Sequence, residues 1–229
     1  MEQSEQHHRI VGTLLSKSGM KQDVFHRTTL LFKELKEELE QVVARLAADT
    51  VGKDERLVMH YRDRSEFGCE ARIAGDLVIF QMHTNVFLLE QGHSLWRSGY
   101  LEEDRTRGYF GVVNVFNFLN DSFKYHRDSD LGYLVARIFI NREGHFFVQG
   151  KKQLGFLYND LVNATMDRAQ LRAILESVML HVLDFDLLLP PYDQMGQLTV
   201  SEMNELKAAP VSTGKRLGFR FQADEDPQG

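Results

Sequence analysis

The chain carries one cysteine, one tryptophan, four prolines and no surplus of positive charge. Each scarcity removes a class of protein. A single thiol, Cys69, excludes an internal disulfide, and so cysteine-poor a chain of this size fits a reducing compartment. Lys and Arg number 27 against 33 Asp and Glu, for a net charge of −6. That balance argues against a protein whose main task is gripping nucleic acid or an anionic membrane, because phosphate neutralisation needs clustered surplus cations. No apolar run approaches the ~20 residues that span a bilayer. The N-terminus, Met1-Glu2-Gln3-Ser4-Glu5, is acidic and polar where a secretory signal is basic and then apolar, so a cytoplasmic protein without membrane contact is expected. No stretch carries a catalytic or cofactor signature, and no internal repeat is visible.

What is present suffices for one core. At 229 residues, 43% hydrophobic and 26% charged, the chain can bury a full interior as a single α+β domain over residues 21–205, between a flexible arm at 1–20 and a tail at 206–229. The arm is polar apart from Ile10-Val11 and Leu14-Leu15, and reads as loose chain or a short helix. A long helix follows over residues 23–48. Its apolar positions Phe25, Phe32, Leu35, Leu39, Val42 and Leu46 recur at threes and fours, with Thr28 filling the missing step. Lys33, Glu34, Lys36, Glu37, Glu38 and Arg45 fall mostly off this seam and support the helix by charge pairs. So narrow a seam can pack on a sheet or against a second copy of itself.

The expected fold is an antiparallel sheet of about six to seven strands, flanked by that helix and a C-terminal one. Leu57, Met59 and Tyr61 alternate with His60 and Arg62, and Phe67, Cys69, Ala71 and Ile73 alternate with Glu70 and Arg72. Ala74-Gly75-Asp76 makes a tight turn, with glycine supplying the positive φ, into a strand at 77–82. A further strand is expected at 85–89. Residues 91–107 form a polar connection that holds Trp96 and a charged run at 102–107, long enough for its aromatic to tuck onto the core or for the loop to face a partner. Residues 109–119 fit either period, with β-branched and aromatic content favouring strand to about 117 and a turn or short helix after it. Residues 132–140, the turn Asn141-Arg142-Glu143-Gly144, and 145–149 form the clearest hairpin, with Leu134, Ala136, Ile138 and Ile140 on one face. The last helix, 167–183, is capped by Thr165 and turns Leu171, Ile174, Leu175, Val178 and Val182 inward. Pro190-Pro191 forbids its continuation. Lys215–Phe221 alternates basic and apolar residues, as a strand added to a sheet edge would.

The strongest candidate site is the polar knot at 120–130, held between two apolar runs that need burial. Asp121, Lys124, Tyr125, His126, Arg127 and Asp130 offer both signs of charge and one group that titrates near neutrality. Arg137 on the following strand and Lys151 at the hairpin exit add cations at the same end. The knot can hold an anionic ligand or a partner's carboxylates, or it can satisfy itself as a turn. Nine histidines show no metal-ligand spacing, including His7-His8, His60 and His83, so neither a metal nor a cofactor is expected. Cys69 reads as core. Asp184-x-Asp186 reads as turn chemistry, and Thr213-Gly214-Lys215 lacks the upstream glycine of a phosphate loop.

No family is recognised. In architecture alone, helices around an antiparallel sheet resemble small acidic cytoplasmic chaperones and sensory-regulator domains that dimerise and bind extended partners, which implies a non-enzymatic interaction module. The expectation is therefore an adaptor-like protein that recognises a protein partner through a sheet edge or the 120–130 patch, with its first helix able to pair with a second copy as a homodimer. A small anionic-ligand sensor or enzyme built on the same patch is the first alternative. A nucleic-acid accessory protein reading through Arg97, Arg105, Arg107 and Lys124 is the second.

Overall fold

In the long helix, burial recurs at Val24, Thr28, Leu31, Phe32, Leu35, Leu39, Val42 and Val43, a stripe wider than the sequence seam because Val24, Leu31 and Val43 join it. A stripe this broad covers a sheet, whereas a coiled coil needs only a narrow one. The computed structural model describes residues 4–128, 130–151, 153–185 and 200. Residues 186, 190, 191 and 206–229, with their expected turn, stop and edge strand, lie outside the described residues. In chain order the elements are α1 (Glu5–Thr13), a wide helical turn (Leu14–Ser18), α2 (Gly19–Thr50), β1 (Met59–Ser65), β2 (Gly68–Ile73), β3 (Asp76–Met82) and β4 (Phe87–Leu88). There follow α3 (Gly99–Glu103) between two tight turns, β5 (Tyr109–Leu119), α4 (Asn120–Lys124), β6 (Tyr133–Ile140), β7 (Phe146–Gly150), α5 (Gln153–Leu157) and α6 (Arg168–Leu183).

The strands form one antiparallel sheet in the order β1-β2-β3-β5-β6-β7, with β4 pairing the start of β5. Helices α2 and α6 cover one face and bury Cys69, Val78, Phe80, Val113, Val115, Ile138 and Val148 beneath them. At roughly 1.5–3 kcal/mol for each large apolar side chain removed from water, this layer dominates the stability. Thr28 explains its place in the stripe. It is fully buried, its hydroxyl donates to Val24 O at 2.7 Å, and it lies so close to β5 that a Cβ on Gly111 would fall 2.1 Å from its Oγ1. Only glycine permits that approach of helix to strand.

Several local expectations are corrected. The helix reaches back to Glu5, where the Ser4 side chain accepts from His7 N, and residues 4–18 are exposed, with cover beginning at Gly19. The β2–β3 turn places its positive φ on Ala74 (53°) and not on glycine. Asp167, not Thr165, caps α6, its carboxylate accepting from Gln170 N at 2.7 Å, while Thr165 pairs with His145. A carboxylate at the position directly before the first turn reaches the free N–H groups there, and a hydroxyl two residues earlier does not stand at the cap. A register shift between Val115 and Phe116 brings Val135 into the helix-covered cluster and sets Leu134 opposite Phe116, so the simple alternation of β6 is broken there. Glu38 is the largest departure. Expected on the solvent side, it is 2% exposed and held between Arg168 and Arg172 of α6.

The two sheet edges differ. β7 is closed by the chain that follows it: Val148 N donates to Tyr158 O at 2.7 Å and Phe146 N to Ala164 O at 3.3 Å. Among the described residues β1 has a strand neighbour on one side, β2.

Candidate functional site

The face of the sheet turned away from α2 and α6 is half covered. Over the start of β5, the end of β6 and the start of β7, the 89–108 connection packs Leu89 and Leu101 against Phe110 and Phe147, with Leu161 from the segment after α5. Phe139 and Phe147 stack at 4.5 Å, and Trp96 is half-buried on the same cluster, so the connection is a second layer rather than a free loop. Its charges are tied down. Arg107 bridges Glu103 at 2.5 Å and Glu143 at 3.1 Å, Arg142 meets Asp104 at 2.6 Å, and buried Asn141 donates to Tyr100 Oη at 2.8 Å. Burial pushes the Tyr100 phenol up to about 12, with its hydrogen bond to Glu143 adding to the rise. Burial opposes ionisation of Glu143, yet the hydrogen bonds from Tyr100 and Arg107 hold its carboxyl below the usual range.

The other half of this face carries polar and aromatic side chains, and among the described residues only α4 lies over it, at one end. Register places them in rows across neighbouring strands. Arg62, Glu70, Ile79 and Phe116 form one row, and His60, Arg72, Leu77 and Phe118 the next. Gln81, Asn114, Arg137 and Gln149 form a third. His60, Arg62, Arg64 and Arg137 are exposed, while Phe116 and Phe118 are half-buried. Among the described strand residues, four arginines thus share this surface with one carboxylate, Glu70, which is itself buried and paired with Arg64, and the knot adds its aspartates at one end. Arg72 donates through Nε to Ala74 O at 3.1 Å, so its planar group is held in place.

The knot closes one end of this surface. Phe123 of α4 meets Phe118 edge-on at 5.2 Å and lies under the Arg64 guanidinium at 5.4 Å, joining α4 to β1 across the face. A Cβ on Gly132 would come 2.2 Å from Phe118 Cζ, so glycine lets the returning chain pass over that ring. Within the knot Ser122 Oγ donates to Asp130 Oδ2 at 2.6 Å, Arg127 Nε stands 2.8 Å from the same oxygen, and Arg127 N donates to Ser122 O at 2.8 Å. The chain turns at His126, whose φ is 52°, and this leaves its imidazole and Lys124 exposed, the latter over the Tyr125 ring at 4.9 Å. Asp121 and Tyr125 are half-buried. Of the residues singled out from sequence, Asp121, Lys124, Tyr125, His126, Arg127 and Asp130 therefore form one turn, Arg137 lies in the middle of the open face, and exposed Lys151 follows β7.

Arg62, Arg64 and Arg72 were missed. Their alternation along 59–73 signalled a common face, but nothing local says which half of a sheet face stays uncovered. The arginines of the nucleic-acid alternative are dispersed in role: Arg107 is neutralised by two glutamates and covers the Tyr100 ring at 4.5 Å, and Arg105 sits over Trp96 at 5.8 Å. Cys69 is fully buried, and burial pushes its thiol up to about 12, which suits a core residue and not a nucleophile. His83 accepts from Asn85 N at 3.0 Å. Among the described residues no three His, Cys, Asp or Glu side chains are placed to hold a metal ion, and no helix is long and apolar enough to cross a membrane.

The chain matches no protein-family model, no curated protein and no solved structure.

Proposed function

We propose that the protein is a non-enzymatic interaction module that takes an extended, acidic segment of a protein partner along β1 and the open half of the sheet. One observation supports this reading: among the described residues β1 is an edge strand, and its exposed arginines stand in register with further arginine and phenylalanine side chains on a face that no described second layer covers. A segment added to a sheet edge gains main-chain hydrogen bonds from the edge and specificity from alternate side chains. Carboxylates at every second position would face the exposed Arg62 and Arg64, with Arg72 one strand further in, while the side chains between them turn to the opposite face. Arginine is suited to this task because its planar fork pairs with a carboxylate through two parallel hydrogen bonds.

A protein partner fits better than a nucleic acid. The knot brings Asp121, Asp128 and Asp130 to the end of the same surface, and the whole chain is negative at −6, so a polyphosphate tracking across it would meet repulsion where a short acidic peptide would stop.

The test is fluorescence anisotropy with a labelled ten-residue peptide alternating Glu with Val, its Lys-for-Glu counterpart, and oligothymidylate. The acidic peptide should bind, weaken steeply with salt, and lose at least about tenfold in affinity with Arg62→Glu combined with Arg72→Glu. Equal binding of the basic peptide, or an unaltered affinity in the charge-reversed variant, would end the proposal. Tighter binding of the oligonucleotide would replace it with the nucleic-acid reading.

A further inference from the structure

At the far end of the sheet from the knot, a cleft of about 540 Å³ opens between the 89–108 connection and the start of β5, lined by Leu88, Gln91, Trp96, Arg105, Thr106 and Tyr109. Its size is that of a small-molecule site. Two of its walls are aromatic and both carry a cation: the Arg105 guanidinium lies 5.8 Å from the Trp96 ring centre, and Lys21 Nζ, from the first turn of α2, lies 5.7 Å from that of Tyr109. None of the described residues that line the cleft is a carboxylate.

The walls are built to stay where they are. Trp96 Nε1 donates to Glu90 O at 2.8 Å, and the indole rests directly on Gly108, where a Cβ would come 2.3 Å from it. Arg105 stands in a turn closed from both sides by Asp104, whose Oδ1 accepts from Thr106 N at 2.8 Å and from the Thr106 hydroxyl at 2.6 Å. Those hydrogen bonds from Thr106 hold the Asp104 carboxyl below its ordinary range. Rigid aromatic walls cost a ligand little ordering on binding.

We infer that this cleft binds a planar aromatic carboxylate, its ring system against Trp96 and Tyr109 and its carboxylate on Arg105, with Lys21 beside the Tyr109 ring adding to the positive field. A cationic ligand is disfavoured because each aromatic ring already has a positive group beside it, and a neutral one would leave Arg105 facing the cleft without a carboxylate from its described lining. The inference stands apart from the acidic-peptide reading, since it uses neither β1 nor the open half of the sheet.

The full chain is titrated with 2-naphthoate, 2-naphthamide and cyclohexanecarboxylate, followed by calorimetry and by the emission of Trp96, the one tryptophan in the sequence. Binding of 2-naphthoate with quenching of Trp96 is expected, with both controls and Arg105→Ala at least about tenfold weaker. Arg105→Gln, which keeps the stem over Trp96 and removes the charge, should weaken it to a similar degree, so a folding defect in the alanine variant does not decide the matter. Lys21→Ala should weaken it less. Absence of heat and quenching up to ~5 mM, equal binding of the amide, or unchanged affinity in Arg105→Gln would overturn the assignment.

Discussion

Replacing both Arg168 and Arg172 by alanine strands the one carboxylate that the α2–α6 contact buries. The Glu38 side chain is 3% exposed, its Oε2 accepts from Arg172 Nη2 at 2.7 Å and Nε at 3.1 Å, and its Oε1 accepts from Arg168 Nη1 at 3.2 Å. The arginine side chains are 53% and 37% exposed. The asymmetry decides the sign of each variant. A buried charge left alone costs about 3–5 kcal/mol, so Arg168→Ala with Arg172→Ala should destabilise by that amount. Arg172→Ala alone removes the paired contacts but leaves Arg168, and should cost about 2 kcal/mol, the worth of hydrogen bonds to a charged group. Glu38→Leu removes the buried charge and releases two guanidinium groups that already touch water. It joins Leu35, Leu39 and Val42, and should fall within about 1 kcal/mol of the parent. In the Glu38→Leu background the two alanine changes should cost less than about 1 kcal/mol, the residual packing of their stems. Urea unfolding measures all four, with midpoints compared at constant slope. If Glu38→Leu proves as damaging as the double arginine variant, the pair is held for its attraction and not for the cost of an orphaned charge, and the reasoning fails.

Gly132→Ala drives a Cβ into the Phe118 ring, which must turn away from Phe123, and should lower stability by about 1–3 kcal/mol in a thermal melt; an unchanged midpoint would show that the ring has room to move. The thiol of Cys69, raised from 9.0 to about 12 by burial, favours the folded state in its protonated form, so this contribution is whole below pH 9 and is lost as pH rises through 12. Midpoints measured across that window should fall less steeply in Cys69→Ala, and a thiol reagent at pH 8 should label the parent only as fast as it unfolds; immediate labelling would place the thiol at the surface.

The alternation in 59–73, the β6–β7 hairpin and the stripes of α2 and α6 were legible because period and turn chemistry act over a few residues. Met59, Tyr61, Cys69, Ala71 and Ile73 face the helices as their spacing requires. The site was only partly legible. The knot residues were marked by their charge between two apolar runs, whereas Arg62, Arg64 and Arg72 looked like the solvent side of any sheet. Glu38 was misplaced for the same reason: on the helix it has the spacing of a surface charge, and only the arrival of Arg168 and Arg172, 130 and 134 residues away, makes a buried carboxylate tolerable.

Local chemistry alone therefore determined that this chain forms an antiparallel sheet with helices packed on one face, since side-chain period, β-branching and turn residues commit each segment before it meets another. Which arginines gather, which strand edge stays open, and where aromatic walls enclose a cleft were decided by strand register and by the course of the 89–108 connection. Those depend on contacts between segments far apart in the chain, and burial is a property of the assembled layers that no window of sequence contains.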